Sequence, residues 1–72
     1  MTKEEIVSAF RKAFPEACVV NERQKRPEAL SVVVHMPGGR FAGAFWTARR
    51  NFRRETEESL RVVIRSVRRD LR

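Results

Sequence analysis

Apolar residues recur at helical spacing at the start of the chain: Ile6, Phe10, Ala13 and Phe14 stand at i, i+4, i+7 and i+8, with Lys3, Glu4, Arg11 and Lys12 on the opposite side. Thr2 and Glu5 form the pattern Thr-x-x-Glu, in which each side chain caps a backbone N–H of the other residue. The spacing predicts a first helix over 3–14, stopped before Pro15 because the residue preceding a proline is driven out of helical geometry.

Beyond Pro15 the period shortens. Cys18, Val19 and Val20 open a short, partly β-branched strand that runs through Asn21, Glu22 and Arg23. It dissolves into the polar turn or loop Gln24-Lys25-Arg26-Pro27-Glu28. A clearer strand follows over 30–36, and 40–47 is its partner, because Pro37-Gly38-Gly39 between them is a compact hairpin signal. With Gly38-Gly39 as a two-residue turn, Met36 faces Phe41, Val34 faces Gly43 and Val32 faces Phe45, and these six form a core face. The other face then reads Ser31, Val33, His35, Arg40, Ala42, Ala44 and Trp46, half apolar where a solvated face is polar.

The last element contains 57–71. Leu60, Val63, Ile64, Val67 and Leu71 make an apolar stripe, with Glu55, Glu57 and Glu58 near the start and Arg68, Arg69 and Arg72 near the end, as the helix dipole favours. Thr56 and Asn51 are both candidate caps; the reading adopted is a start near Asn51, with Phe52 as an early apolar anchor. The order helix, three strands, helix predicts one α+β domain over 1–72, an α-β-β-β-α chain in which two helices pack on one face of a three-stranded antiparallel sheet.

Size sharpens the question of the half-apolar face. A chain of 72 residues builds a single small core worth a few kcal/mol of net stability, so apolar surface left uncovered calls for a reason. Three readings of the face carrying Val33, His35, Ala42, Ala44 and Trp46 are open. The favoured one is a homodimer interface, sheet face to sheet face, because small alanines permit close packing. The others are base stacking on Trp46 and a register that buries Trp46. His35 is the sole histidine, and its expected neighbours are apolar or arginine, so it lacks the partner that acid–base catalysis needs and reads as structural. Cys18, flanked by two valines, is expected in the core. As the single cysteine it offers no internal disulfide, no zinc site and no cofactor attachment on these residues.

The composition, 42% hydrophobic and 35% charged, is that of a folded chain, and no run approaches the roughly 20 apolar residues of a membrane span. The first residues run straight into the amphipathic pattern without signal-peptide layout, which predicts an intracellular, cytoplasmic protein with no membrane partner.

The net charge of +7 changes the picture most. Such a field attracts polyanions, of which nucleic acid is the commonest in a cell. It is uneven: residues 1–39 carry six basic and five acidic side chains, residues 40–72 ten and four. Thirteen of the sixteen basic residues are arginine, the side chain suited to bidentate phosphate or carboxylate contacts, although a GC-rich genome yields the same bias. Arg49, Arg50, Arg53 and Arg54 fall between the last strand and the last helix. Arg61, Arg65, Arg68 and Arg72 follow at i, i+4, i+7 and i+11, within roughly 60° of one another around a helix, and Arg54 extends the line one step back. With Arg40, these are the candidate phosphate-binding residues. The plainer reading is a solvated helix face, which Glu58, in reach of Arg61 and Arg65, would partly neutralise.

The α-β-β-β-α order over nearly the whole chain resembles the double-stranded RNA-binding domain, in which the third strand leads into a helix whose N-terminal lysines grip phosphates across the major groove. Arg49, Arg50, Arg53 and Arg54 occupy the comparable place, without the family's Lys-Lys-x-Ala-Lys motif. Lys25-Arg26-Pro27-Glu28-Ala29 stands where the family has a Gly-Pro-x-His loop. HicA-type toxins are similar in topology and length, and Arg23-Gln24-Lys25 echoes the stretch before their catalytic Gly-Ser-His. Here Arg26-Pro27 replaces glycine and serine, so the likeness implies no ribonuclease.

The sequence therefore predicts a non-enzymatic module that clamps nucleic acid, duplex in preference to single strand, by its phosphates. Low specificity is expected, since the usual adenine readers number only Asn21, Gln24 and Asn51. The alternative is a small regulator or inhibitor, of the kind mobile elements encode, that docks an acidic protein or a nucleoprotein complex. A homodimer is compatible with either.

Overall fold

The structure, a computed structural model, describes residues 1–22 and 26–72. Arg23-Gln24-Lys25, and with it the end of the first predicted strand, the start of the following loop and the segment compared with the toxins, lies outside the described residues.

Helix α1 spans Lys3–Ala13. Its capping box forms as the sequence predicts: Glu5 N donates to Thr2 Oγ1 at 3.1 Å and Thr2 N donates to Glu5 Oε1 at 2.9 Å. Ile6, Phe10 and Phe14 are buried along the predicted stripe, joined by Val7. Strands β1 (Cys18–Glu22), β2 (Leu30–His35) and β3 (Phe41–Trp46) form an antiparallel sheet in the order β1-β2-β3, and helix α2 spans Glu57–Asp70. Leu60, Val67 and Leu71 of the predicted α2 stripe are buried, while Val63 and Ile64 are half-buried. Both helices cover one face of the sheet, and one core joins them: Ile6, Phe10 and Phe14 meet Leu30, Val32, Val34 and Trp46 from the sheet and Leu60, Val67 and Leu71 from the last helix. The predicted α-β-β-β-α, α+β architecture is the one observed.

The hairpin register differs from the two-residue reading by one position. Met36 N donates to Arg40 O at 2.8 Å and Gly39 N to Met36 O at 3.2 Å, so Pro37-Gly38-Gly39 is a three-residue loop. Gly38 and Gly39 both take positive φ, 99° and 94°, which glycine adopts without a Cβ penalty. The pairs are therefore Val34↔Ala42, Val32↔Ala44 and Leu30↔Trp46. Because side chains alternate along a strand, this one-residue shift turns all of β3 over. Phe41, Gly43 and Phe45 leave the expected core face, and Ala42, Ala44 and Trp46 enter it.

Packing explains why this register wins. Trp46 is fully buried, edge-on to Phe10 at a centroid distance of 6.4 Å, and a full indole buries more apolar surface than either phenylalanine would. Ala42 and Ala44, packed against the core, are small enough to let the helices lie close to the sheet.

Two further expectations are corrected. Cys18 is exposed, because β1 is an edge strand whose alternation aims Val19, not Cys18, at the core. The final helix does not begin near Asn51. Thr56 caps α2, with Ser59 N donating to Thr56 Oγ1 at 3.1 Å, while Asn51 caps a separate 3-10 turn over Phe52–Arg54.

Candidate nucleic-acid interface

The segment between β3 and α2 is rigidified by short-range contacts that the arginines themselves help to make. Arg50 N donates to Thr47 Oγ1 at 3.4 Å and Thr47 N to Arg50 O at 3.2 Å, closing a turn. Asn51 Oδ1 accepts from Arg53 N at 2.9 Å, starting the 3-10 turn, and Phe52 is buried beneath it as the apolar anchor.

Glu55 ties this segment to the core. Its Oε1 accepts from Trp46 Nε1 at 2.9 Å and lies 3.7 Å from Arg50 Nε, and its Oε2 accepts from Ser59 Oγ. Burial pushes the Glu55 carboxyl up, but the hydrogen bonds from Ser59 and Trp46 and the charges of Arg50 and the amino terminus outweigh it, so its pKa lies below the ordinary value. The sequence reading missed Glu55 because it had turned Trp46 outward; a buried indole needs an acceptor for its N–H, and that requirement is the signal.

All nine predicted phosphate-binding arginines are exposed. Three have work within the fold. Arg50 lies 5.2 Å from the Trp46 ring centroid and Arg53 4.8 Å from that of Phe52. Arg68 sits 5.1 Å from the Phe14 ring centroid and donates from Nη2 to Ala13 O at 3.2 Å, joining α2 to the end of α1.

Arg61, Arg65 and Arg68 stand exposed at i, i+4 and i+7 along α2, with Arg72 just past its end, but the nine do not make one continuous ridge. Arg49, Arg50, Arg53 and Arg54 share the loop. Arg54 does not prolong the α2 line, because Glu55 and Thr56 are extended and break the helical path. Arg40, Arg68 and Arg72 converge on a groove of about 310 Å³ whose walls include Phe14, Met36 and Glu16. Arg61 borders another groove, about 520 Å³, between the two helices, where Glu4, Glu5 and Glu57 also stand. Among the described residues a single ion pair forms, Arg50 with Glu55. The Glu58 pairing considered for Arg61 or Arg65 is absent from them.

The second candidate surface is recomposed by the register. Trp46, Ala42 and Ala44 belong to the helix-covered side, so neither stacking nor dimerisation uses Trp46. Val33 and His35 do lie on the uncovered face, with Phe41 and Phe45 beside them, 66% and 51% exposed. The His35 and Phe41 rings are 5.7 Å apart. Among the described residues no three His, Cys, Asp or Glu side chains gather as metal ligands, and no helix is long and apolar enough to cross a membrane.

Comparison with protein-family models, curated proteins and solved structures finds no match to this chain.

Proposed function

We propose that the protein is a non-enzymatic module that binds nucleic acid through its phosphates, duplex in preference to single strand and with little sequence selectivity. The observation that carries the reading is charge left without an internal partner. Residues 40–72 hold ten arginines, and one ion pair forms among the described residues. Arginines that meet water rather than carboxylates keep their capacity to displace counterions from a polyphosphate. Two of the four loop arginines are also held in place, Arg50 over the Trp46 ring and Arg53 over the Phe52 ring, with Thr47 and Asn51 accepting from their backbone N–H groups. Such prior ordering lowers the entropy lost when they close on a backbone. The element order shared with the double-stranded RNA-binding domain supports the duplex preference, although that family's phosphate-gripping lysines stand at the start of the last helix and the arginines here precede Thr56, the cap of α2.

Titration with labelled duplex RNA, duplex DNA and a single strand at two or more salt concentrations tests the proposal. Among the described residues the side chains of Arg49, Arg54, Arg61 and Arg65 form no hydrogen bond, ion pair or ring contact, so their joint replacement by glutamine is expected to leave the fold intact. Tight, salt-steep binding whose slope falls by up to about 3–4 in that variant supports the reading. An unchanged slope removes these residues from the interface. Binding to none of the three at low salt redirects the arginines to an acidic protein.

A further inference from the structure

We infer that the uncovered face of the sheet is a self-association surface, on which a second copy of this chain docks sheet to sheet. The first argument is charge. Nine strand positions point to that face, and none is lysine or arginine in a chain with sixteen of them. Glu22, at the end of β1, is their only carboxylate. Two copies of a protein at +7 repel wherever arginines meet arginines, and this face lets them approach without that encounter. The same absence disfavours a nucleic-acid strand stacked on the rings, because phosphates there would find no cation on the strand positions.

The second argument is shape. Phe41 and Phe45 flank Gly43 on one strand, with Val33 opposite the glycine. Gly43 is required by the backbone: a Cβ there would lie 2.6 Å from Val32 O. Val33 Cα and Cγ2 lie 3.3 and 3.4 Å from that position, so Val33 floors the space between the two exposed rings. Under a twofold axis the same rings and the same valine floor meet their own copies, as an isologous interface requires. Val20, on the same face and 37% exposed, widens the apolar patch.

Size sets the strength. Six-residue strands about 20 Å long, three abreast at about 4.8 Å spacing, cover on the order of 300 Å². Standard stable interfaces bury about 800 Å² per partner. The dimer is therefore weak and concentration-dependent. Salt strengthens it by screening the repulsion between copies, the opposite of its effect on phosphate binding.

Sedimentation of the full chain across micromolar to millimolar concentration, at low and high salt, tests this. The expected mass rises from 8.4 kDa toward twice that value, more readily in high salt. The Phe41→Ser/Phe45→Ser variant stays monomeric with an unchanged circular dichroism spectrum, and Phe41→Lys, a single change at the more exposed ring, gives the same result. Duplex titrations below the association range are unaffected by these changes, so failure of this inference and failure of the phosphate-binding reading are separable. A wild-type chain that remains monomeric throughout overturns the inference, as does a dimer that survives both variants. A monomer that loses single-strand binding on Phe41→Ser/Phe45→Ser assigns the face to bases instead.

Discussion

The Trp46 indole, fully buried, donates its Nε1–H to the Glu55 carboxylate at 2.9 Å, and this bond, together with the buried Phe52 ring, fastens the arginine-bearing loop to the core. Glu55 also accepts from Ser59 at the first turn of α2 and faces Arg50. Strand, loop and helix thus share one anionic anchor.

Replacing that anchor should cost stability. Glu55→Ala leaves the buried indole N–H without an acceptor and frees Arg50 and Ser59, a loss of about 1–3 kcal/mol. Glu55→Gln, which keeps an acceptor but removes the charge, should lose less. Urea unfolding of the three proteins checks the order; equal stability of wild type and Glu55→Ala would show that the bond contributes nothing net.

The same residue predicts a pH dependence. The folded-state pKa of Glu55 is depressed below its ordinary value of 4.5. The unfolded chain therefore binds the proton more readily, and the stabilisation is fully present above that value and is lost as pH falls through the folded pKa. Thermal unfolding followed from pH 7 to pH 3 should show a decline at the acid end that is shallower in Glu55→Gln. Parallel curves would remove Glu55 as its source.

The two faces of β3 should respond oppositely to substitution. Trp46→Ala opens a cavity in the core and should cost about 3–5 kcal/mol. Phe45→Ser, at the neighbouring position, removes a ring already 51% exposed and should cost under about 1 kcal/mol in the monomer. Denaturant midpoints of the two variants decide the register directly: the two-residue hairpin turn requires the reverse order of costs.

That register marks the boundary of what the sequence discloses. Both helices were legible because each carries a strong local signal, Thr2 with Glu5 at one and the stripe from Leu60 to Leu71 at the other. The strands were legible as apolar runs bounded by Pro and Gly. Which way β3 faces depends on whether Gly39 belongs to the turn or leads out of it, and local composition permits both. Tertiary packing chose, by burying the indole over two alanines. The arginine-rich loop was legible as a charge cluster, but its break at Glu55 was not, since Asn51 and Thr56 are equally good caps and the chain uses each for a different turn.

The arginines themselves should divide by what they touch inside the protein. Arg68 packs on Phe14 and donates to Ala13 O, so Arg68→Ala should weaken nucleic-acid binding and also lower stability, by about 1 kcal/mol, as α2 loses its tie to α1. Arg65, one turn earlier and exposed, makes no such contact among the described residues; Arg65→Ala should weaken binding while stability stays within about 0.5 kcal/mol. Measuring both quantities on both variants separates a phosphate contact from a structural one. If Arg65→Ala leaves affinity and salt slope untouched while Arg68→Ala changes stability alone, α2 is scaffold and the interface contracts to the loop that Glu55 holds.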